Sequence, residues 1–307
     1  MRERARPLGI YAALVLMAFC WGGAFIGGRI AAAEMTPLAA ALWRYVIATI
    51  ALLAVAFALE RGLPRLAARQ WLAVALLGAT GVVMFNLCFM YGLARVPASR
   101  GSLIMALNPA ITLLGAVLFL HERLTRNKVL GIVVALAGVA IVLSHGNPAD
   151  LFRGSVGVGE VVLFGCPIAW AAYTLIGKRM LAGISAIAVT TYAALTGTAM
   201  LALLATFSGD FLPPVASMLA WTAIAFVGLF GTALAFVLFY EGVRTIGPAR
   251  TSVFINLVPV AAIALGVLLL GEPLDASMLV GGALVVAGVL LLNRSPAAPR
   301  AAVATAG

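Results

Sequence analysis

Glu122 and Glu272 stand 150 residues apart, and each follows a run apolar enough to lie in lipid, "LGAVLFL" in one case and "LGVLLL" in the other. A carboxylate there can stay hydrated at a membrane boundary and help fix a helical hairpin. It can also act as a gate latch, pairing with an arginine when one side of a pathway closes. Arg44 is the deepest basic residue: it lies seven positions past Pro37, or about 10 Å into a helix that starts there. Its chemistry would be to hold a substrate carboxylate or to close an outer gate, with snorkelling to the interface as the plain alternative. Pro109 and Pro259 lie 11 residues into apolar segments, about 16 Å in and near a bilayer centre, with Asn108 and Asn256 beside them. A proline at that depth frees the carbonyl four residues back, Met105 or Ile255, which a polar cavity or hinge tolerates and lipid does not. Trp21, Phe25, Trp43, Phe85, Phe89, Trp170, Tyr173, Phe236 and Tyr240 could stack on rings or cover cations, packing being the usual alternative.

Nothing in this set catalyses. No Asp or Glu falls at the centre of an apolar segment: Glu160 and Glu241 lie near segment ends, and Glu241 can pair with Arg244 three residues on. His121 and His145 sit at loop edges, and there is no HExxH, GxSxG or Walker A pattern. The glycines of "SHGNPADLFRGSVGVG" (residues 144–159) lack a following Lys-Ser/Thr and a preceding strand, so they are not a phosphate loop. Cys20, Cys88 and Cys166 are isolated in apolar stretches and read as packing residues. No metal or cofactor is expected, and a membrane-embedded lipid-modifying enzyme lacks its nucleophile and partners.

The elements that must position these residues are membrane helices. With 64% hydrophobic and 10% charged residues, the 307-residue chain lies far outside soluble composition. Breaking it at charges, Pro and Gly gives ten spans, near 8–31, 37–59, 70–94, 98–120, 127–144, 157–180, 185–207, 219–243, 248–270 and 276–293. The net charge of +10 is spread over short loops, which argues for the positive-inside rule rather than nucleic acid. With the N-terminus inside, 15 of the 20 Lys and Arg fall in the cytoplasm, four outside and Arg44 within a span, so both termini are expected to be cytoplasmic. The basic start followed by an apolar run lacks a signal-peptide cleavage site, and bulky Phe19 before Cys20 does not fit a lipoprotein.

The chain also repeats itself. Residues 98–144 set against 248–294 without gaps give 13 identities in 47 positions, among them Arg100/Arg250, Pro109/Pro259, Glu122/Glu272, Gly131/Gly281 and Gly138/Gly288. "CWGGAFIGGR" likewise matches "AWAAYTLIGK", with Trp21 opposite Trp170. Five spans per half is an odd number, so the second half must run opposite to the first. The expected fold is all-α and integral to the membrane, ten transmembrane helices in two inverted five-helix repeats around a central cavity. The expected units are residues 1–146, a linker at 147–156, residues 157–294, and a disordered cytoplasmic tail at 295–307. Thr125 and Asp275 suit helix N-caps. The glycine faces of the last helix in each half could pack helices or form a homodimer.

"FMYGLARVPASRGSLIMALNPAITLLGAVLFLHERLT" and "LFYEGVRTIGPARTSVFINLVPVAAIALGVLLLGEPLD" carry an aromatic-rich helix end, a turn, a helix with a central Pro and a closing Glu. In these segments the chain resembles the EamA branch of the drug/metabolite transporter superfamily, and the resemblance covers almost its whole length. It implies a two-repeat helical transporter that moves small metabolites and has no enzymatic activity. The expectation is a bacterial inner-membrane exporter of amino acids or related amphiphiles, working by alternating access. A multidrug or organic-cation exporter is the alternative, disfavoured by the lack of a mid-membrane carboxylate. A sugar-phosphate carrier would need several deep basic residues, where only Arg44 is deep.

Overall fold

The computed structural model describes residues 7–121, 124–147, 156–180, 183–211 and 215–293, and these are helical with short connections. Among the described residues nine helices are long and apolar enough to cross a membrane, and we number them in chain order. They are α1 (Gly9–Ala32), α2 (Pro37–Glu60), α3 (Ala68–Leu93), α4 (Ala98–Phe119), α5 (Arg126–Leu143), α6 (Val158–Lys178), α7 (Ala186–Ser208), α8 (Met218–Ile246) and α9 (Arg250–Leu270). A shorter apolar helix, α10 (Ala276–Leu292), follows. Glu122, most of the linker and the tail lie outside the described residues.

Short polar side chains start five of these helices. Thr36, Ser185 and Ser217 accept from the backbone N–H three residues on, at 3.2, 3.0 and 3.2 Å, which satisfies donors that lipid cannot. Thr125 and Asp275 do the same for Lys128 and Met278, at 3.4 and 2.8 Å, as their positions imply. The Ser277 hydroxyl, then the Met278 N–H and His145, hold the Asp275 carboxyl below its ordinary pKa. That stabilisation is present above the ordinary carboxylate range and fades as pH falls through the lowered value.

Two departures from regular helix recur at the same 150-residue offset. α3 and α8 pass through π-helical segments, Gly78–Met84 and Leu229–Leu234, of the kind often found at functional sites. α4 breaks after Met105 and restarts at Asn108, while α9 passes through a 3-10 turn at Phe254–Asn256 and restarts at Leu257. The prolines therefore stand where helices restart rather than within continuous helices. Pro109 is the second residue and Pro259 the third of a restarted helix, where a missing N–H costs nothing.

α5 and α10 pack antiparallel through their glycines. A Cβ on Gly131 would lie 2.7 Å from the Gly288 carbonyl oxygen, and one on Gly138 would lie 2.5 Å from that of Gly281. The reverse contacts are 2.6 and 2.5 Å, so the pairing is reciprocal under the repeat offset. The glycine faces that could have served a homodimer are thus occupied within the chain.

Candidate functional site: a two-ended chamber

A chamber of about 470 Å³ lies among α1–α4, α6 and α8–α10, within the range of small-molecule sites. Both helix interruptions border it, through Met105, Ala106, Asn108 and Pro109 on one side and Ile255, Asn256, Val258 and Pro259 on the other. Aromatic rings form much of its wall. Trp21 meets Phe236 edge-on at 5.8 Å, Phe236 lies 6.3 Å from Trp170, and Trp170 lies 6.0 Å from Phe85. Phe89 stacks on Phe85 and meets Phe25 edge-on at 5.2 Å. The two repeated tryptophans thus converge on one phenylalanine.

Arg44 borders the chamber and is buried, with only 6% of its surface exposed, so snorkelling does not describe it. Its Nη1 donates to Asn86 Oδ1 at 2.6 Å, and its Nη2 donates to Thr232 Oγ1 at 3.2 Å. The guanidinium also lies 5.5 Å from the Phe89 ring centroid. Asn86 follows the first π segment and Thr232 lies within the second, so the repeat-related irregularities of α3 and α8 grip one arginine between them. Asn86 in turn donates to Val82 O and Thr232 to Val227 O, which fixes both acceptors before Arg44 arrives. Among the described residues no carboxylate pairs with Arg44. This buried cation is neutralised by neither Asp nor Glu, and at least two of its N–H groups are not engaged by the protein.

Beyond Ser102, polar contacts tie the two halves of the chain together. The Glu272 carboxylate accepts from Ala98 N at 2.7 Å, Ser99 N at 3.0 Å and the Ser99 hydroxyl, so it caps α4 from the opposite half of the chain. Glu272 thus meets backbone N–H groups rather than the arginine that a latch would take, because the open N-terminus of α4 lies within its reach. One residue on, Arg100 pairs with buried Glu160 at 3.4 Å and donates to Leu143 O at 2.7 Å. Arg29 donates to Leu93 O at 2.6 Å. At the other end the wall reaches Lys178, the one exposed residue of the lining. Glu272→Ala is expected to raise the labelling rate of a cysteine at buried Ser102, approached from the Glu272 end, by about tenfold or more, the worth of one hydrogen bond to a charged group. An unchanged rate would reduce Glu272 to a helix cap.

Three of the aromatic residues read from the sequence fall outside this lining: Trp43 packs edge-on against Trp221 at 5.5 Å, and the other two are tyrosines. Tyr173 packs on Trp170 at 5.5 Å and behind Gly81, where a Cβ would collide with its ring. Tyr240, one turn beyond Phe236, faces a separate hollow with Glu60, Glu241 and Arg244, and its hydroxyl meets Thr190 at 2.9 Å. Trp21, Arg44, Phe85, Asn108, Trp170, Phe236 and Asn256 do border one chamber, with Pro109 and Pro259. Glu272 stands at the N-terminus of α4 rather than in the chamber wall, and Glu122 lies outside the described residues. Sequence reasoning missed Asn86, Thr232 and the buried Arg100–Glu160 pair. A signal did exist for the π segments, since Gly78 and Gly81 recur as Gly228 and Gly231 at the same offset.

Comparison with known proteins agrees with this architecture. The model of the EamA-like transporter family matches twice, at residues 8–144 and 157–294. The chain is 32% identical over 297 residues to a probable terminal-alkyne amino-acid exporter of Streptantibioticus cattleyicolor, covering 96% of this chain and 97% of that protein. It is 29% identical over 288 residues to the uncharacterized transporter YyaM of Bacillus subtilis, covering 93% of each. A solved crystal structure of 18% sequence identity shares the fold, with a TM-score of 0.66 over 94% of this chain and 98% of that one.

Proposed function

The chain belongs to the EamA-like transporter family, and from that premise we propose that it exports small carboxylate-bearing amphiphiles, amino acids or related metabolites, by alternating access across a bacterial inner membrane. The observation that carries this reading is Arg44, a buried cation bordering an aromatic chamber, with no carboxylate among the described residues to neutralise it. A substrate carboxylate supplies the missing charge, and the ring wall of Trp21, Phe85, Trp170 and Phe236 accepts an apolar body. The S. cattleyicolor relative, named for an amino-acid cargo, supports the same class. Organic cations fit less well, because the charged lining residues, Arg44 and Lys178, are both basic.

The moving parts in this reading are two inverted five-helix halves. Reciprocal glycine packing of α5 on α10, and irregular segments recurring at one offset, are what such symmetry generates. Unequal halves then exchange access to a site near the midplane, built where helices are interrupted. Lys178 faces the cytoplasm and Glu272 the outside, since the loops on the Lys178 side carry most of the Lys and Arg. In this reading the Glu272 and Arg100 contacts close the outer side. On a cysteine-free background in intact cells, a cysteine replacing Asp210 should react with an impermeant reagent and one replacing Arg126 should not; the reverse pattern would invert the topology. For function, inverted membrane vesicles containing the protein should accumulate carboxylate-bearing amphiphiles from a metabolite panel above empty vesicles. Accumulation of organic cations and of no carboxylate would replace this reading with the multidrug one.

A further inference from the structure

Asn108 and Asn256 hold the most unusual polar atoms of the chamber. Asn108 Oδ1 and Asn256 Nδ2 are enclosed without a hydrogen-bond partner, and neither side chain makes a hydrogen bond through its other atom. Both residues border the chamber, at the interruptions of α4 and α9. Enclosed polar atoms are nearly always satisfied, so one orphaned atom on each of these half-buried amides points to a ligand that completes them. Each amide offers a donor and an acceptor, and a turn about χ2 exchanges which of them faces the chamber. The pair can therefore give one donor and one acceptor to the same guest.

The charge of the chamber narrows that guest further. Among the described residues its lining includes Arg44 and Lys178 but no Asp or Glu. A free ammonium entering it would lose its hydration, meet no carboxylate of the protein and face a buried cation of its own sign. A nitrogen that has been acylated enters neutral, and the secondary amide so formed carries one N–H donor and one carbonyl acceptor. That is the complement of the two asparagines.

Resting on the transporter reading above, we infer that the preferred cargo is a carboxylate whose amino nitrogen is acylated, an N-acyl amino acid rather than a free one. The carboxylate lies on Arg44, the amide between Asn108 and Asn256, and the apolar side chain against the aromatic wall. Three chemically distinct groups are thereby recognised, and none of them needs an acidic residue.

The full-length protein in proteoliposomes tests this with three radiolabelled carboxylates of similar size: N-acetyl-leucine, leucine, and isocaproate, which has no nitrogen. Saturable uptake of N-acetyl-leucine is expected, with leucine competing at least about tenfold more weakly, the worth of one or two neutral hydrogen bonds. Asn108→Leu and Asn256→Leu should each raise the KM for N-acetyl-leucine about tenfold while leaving that for isocaproate unchanged. Isocaproate uptake thus reports whether a variant is folded and inserted. Leucine competing as well as N-acetyl-leucine, or both KM values rising together in the asparagine variants, overturns the inference. If leucine is carried in an Arg44-dependent manner and N-acetyl-leucine is not, the inference fails while the transporter reading stands. If no carboxylate is carried at all, both fail.

Discussion

Arg44→Met is expected to raise the KM for a carboxylate substrate about 10- to 150-fold while leaving the protein folded and inserted. The size follows from a hydrogen bond between charged partners, worth about 1.5–3 kcal/mol in net terms. Arg44 is buried between α3 and α8 with Asn86 and Thr232 as its acceptors and no counter-charge, so it brings a desolvation cost that no ion pair offsets. Methionine is apolar and of similar reach, and it removes that cost. Asn86 Oδ1 and Thr232 Oγ1 lose a donor, but each side chain keeps its bond to a carbonyl of its own helix. Gain and loss are each about 1–3 kcal/mol, so the thermal midpoint in detergent should move little. Arg44→Lys keeps the charge without the fork that reaches both acceptors, and should give an intermediate KM. An unchanged KM for Arg44→Met with a lowered midpoint would make the arginine a structural clasp and take the substrate carboxylate elsewhere.

The parts of this structure that were legible beforehand share a cause. Span positions follow from the length of apolar runs, since lipid demands about 20 residues whatever the fold. Asn108, Asn256, Pro109 and Pro259 were readable because a helix break in hydrocarbon must face something polar. What hydropathy does not carry is rotation about each helix axis. A membrane helix is as apolar toward lipid as toward its neighbours, so no moment tells which ring of Phe236 or Tyr240 meets the chamber and which lies beyond it. The same blindness hid the partners of Arg44. Asn86 and Thr232 sit beside π segments, whose extra residue per turn shifts the face a side chain presents. Glu272 illustrates a different limit: a carboxylate at a helix end can cap, pair or hydrate, and only the neighbouring N-terminus of α4 selects among these.

The largest effect on stability is expected at Gly138 and Gly281, where α5 and α10 touch backbone to backbone. A Cβ at either position would lie 2.5 Å from the other glycine's carbonyl oxygen, well inside van der Waals contact. The obstacle on each side is main chain, which cannot rotate away as a long side chain could. The helices would have to part, loosening Val142 and Val285, which close around the same glycines. In lipid that separation is not resisted by a hydrophobic effect, so the loss is one of packing itself, which is the main force between membrane helices. Gly138→Ala should cost about 1–3 kcal/mol and Gly138→Leu more, read as a lowered unfolding midpoint in a fixed detergent. Gly282→Ala supplies the control one residue along α10. Its Cβ would meet no atom closer than a Leu103 methyl at 3.4 Å, and little change is expected. The double variant Gly138→Ala/Gly281→Ala should lose less than the sum of the single losses, because the first substitution already opens the gap that the second requires. Additive losses, or a Gly138→Leu midpoint equal to that of Gly282→Ala, would show that α5 and α10 do not meet at these residues, and the reciprocal contact that supports two inverted halves would be lost with them.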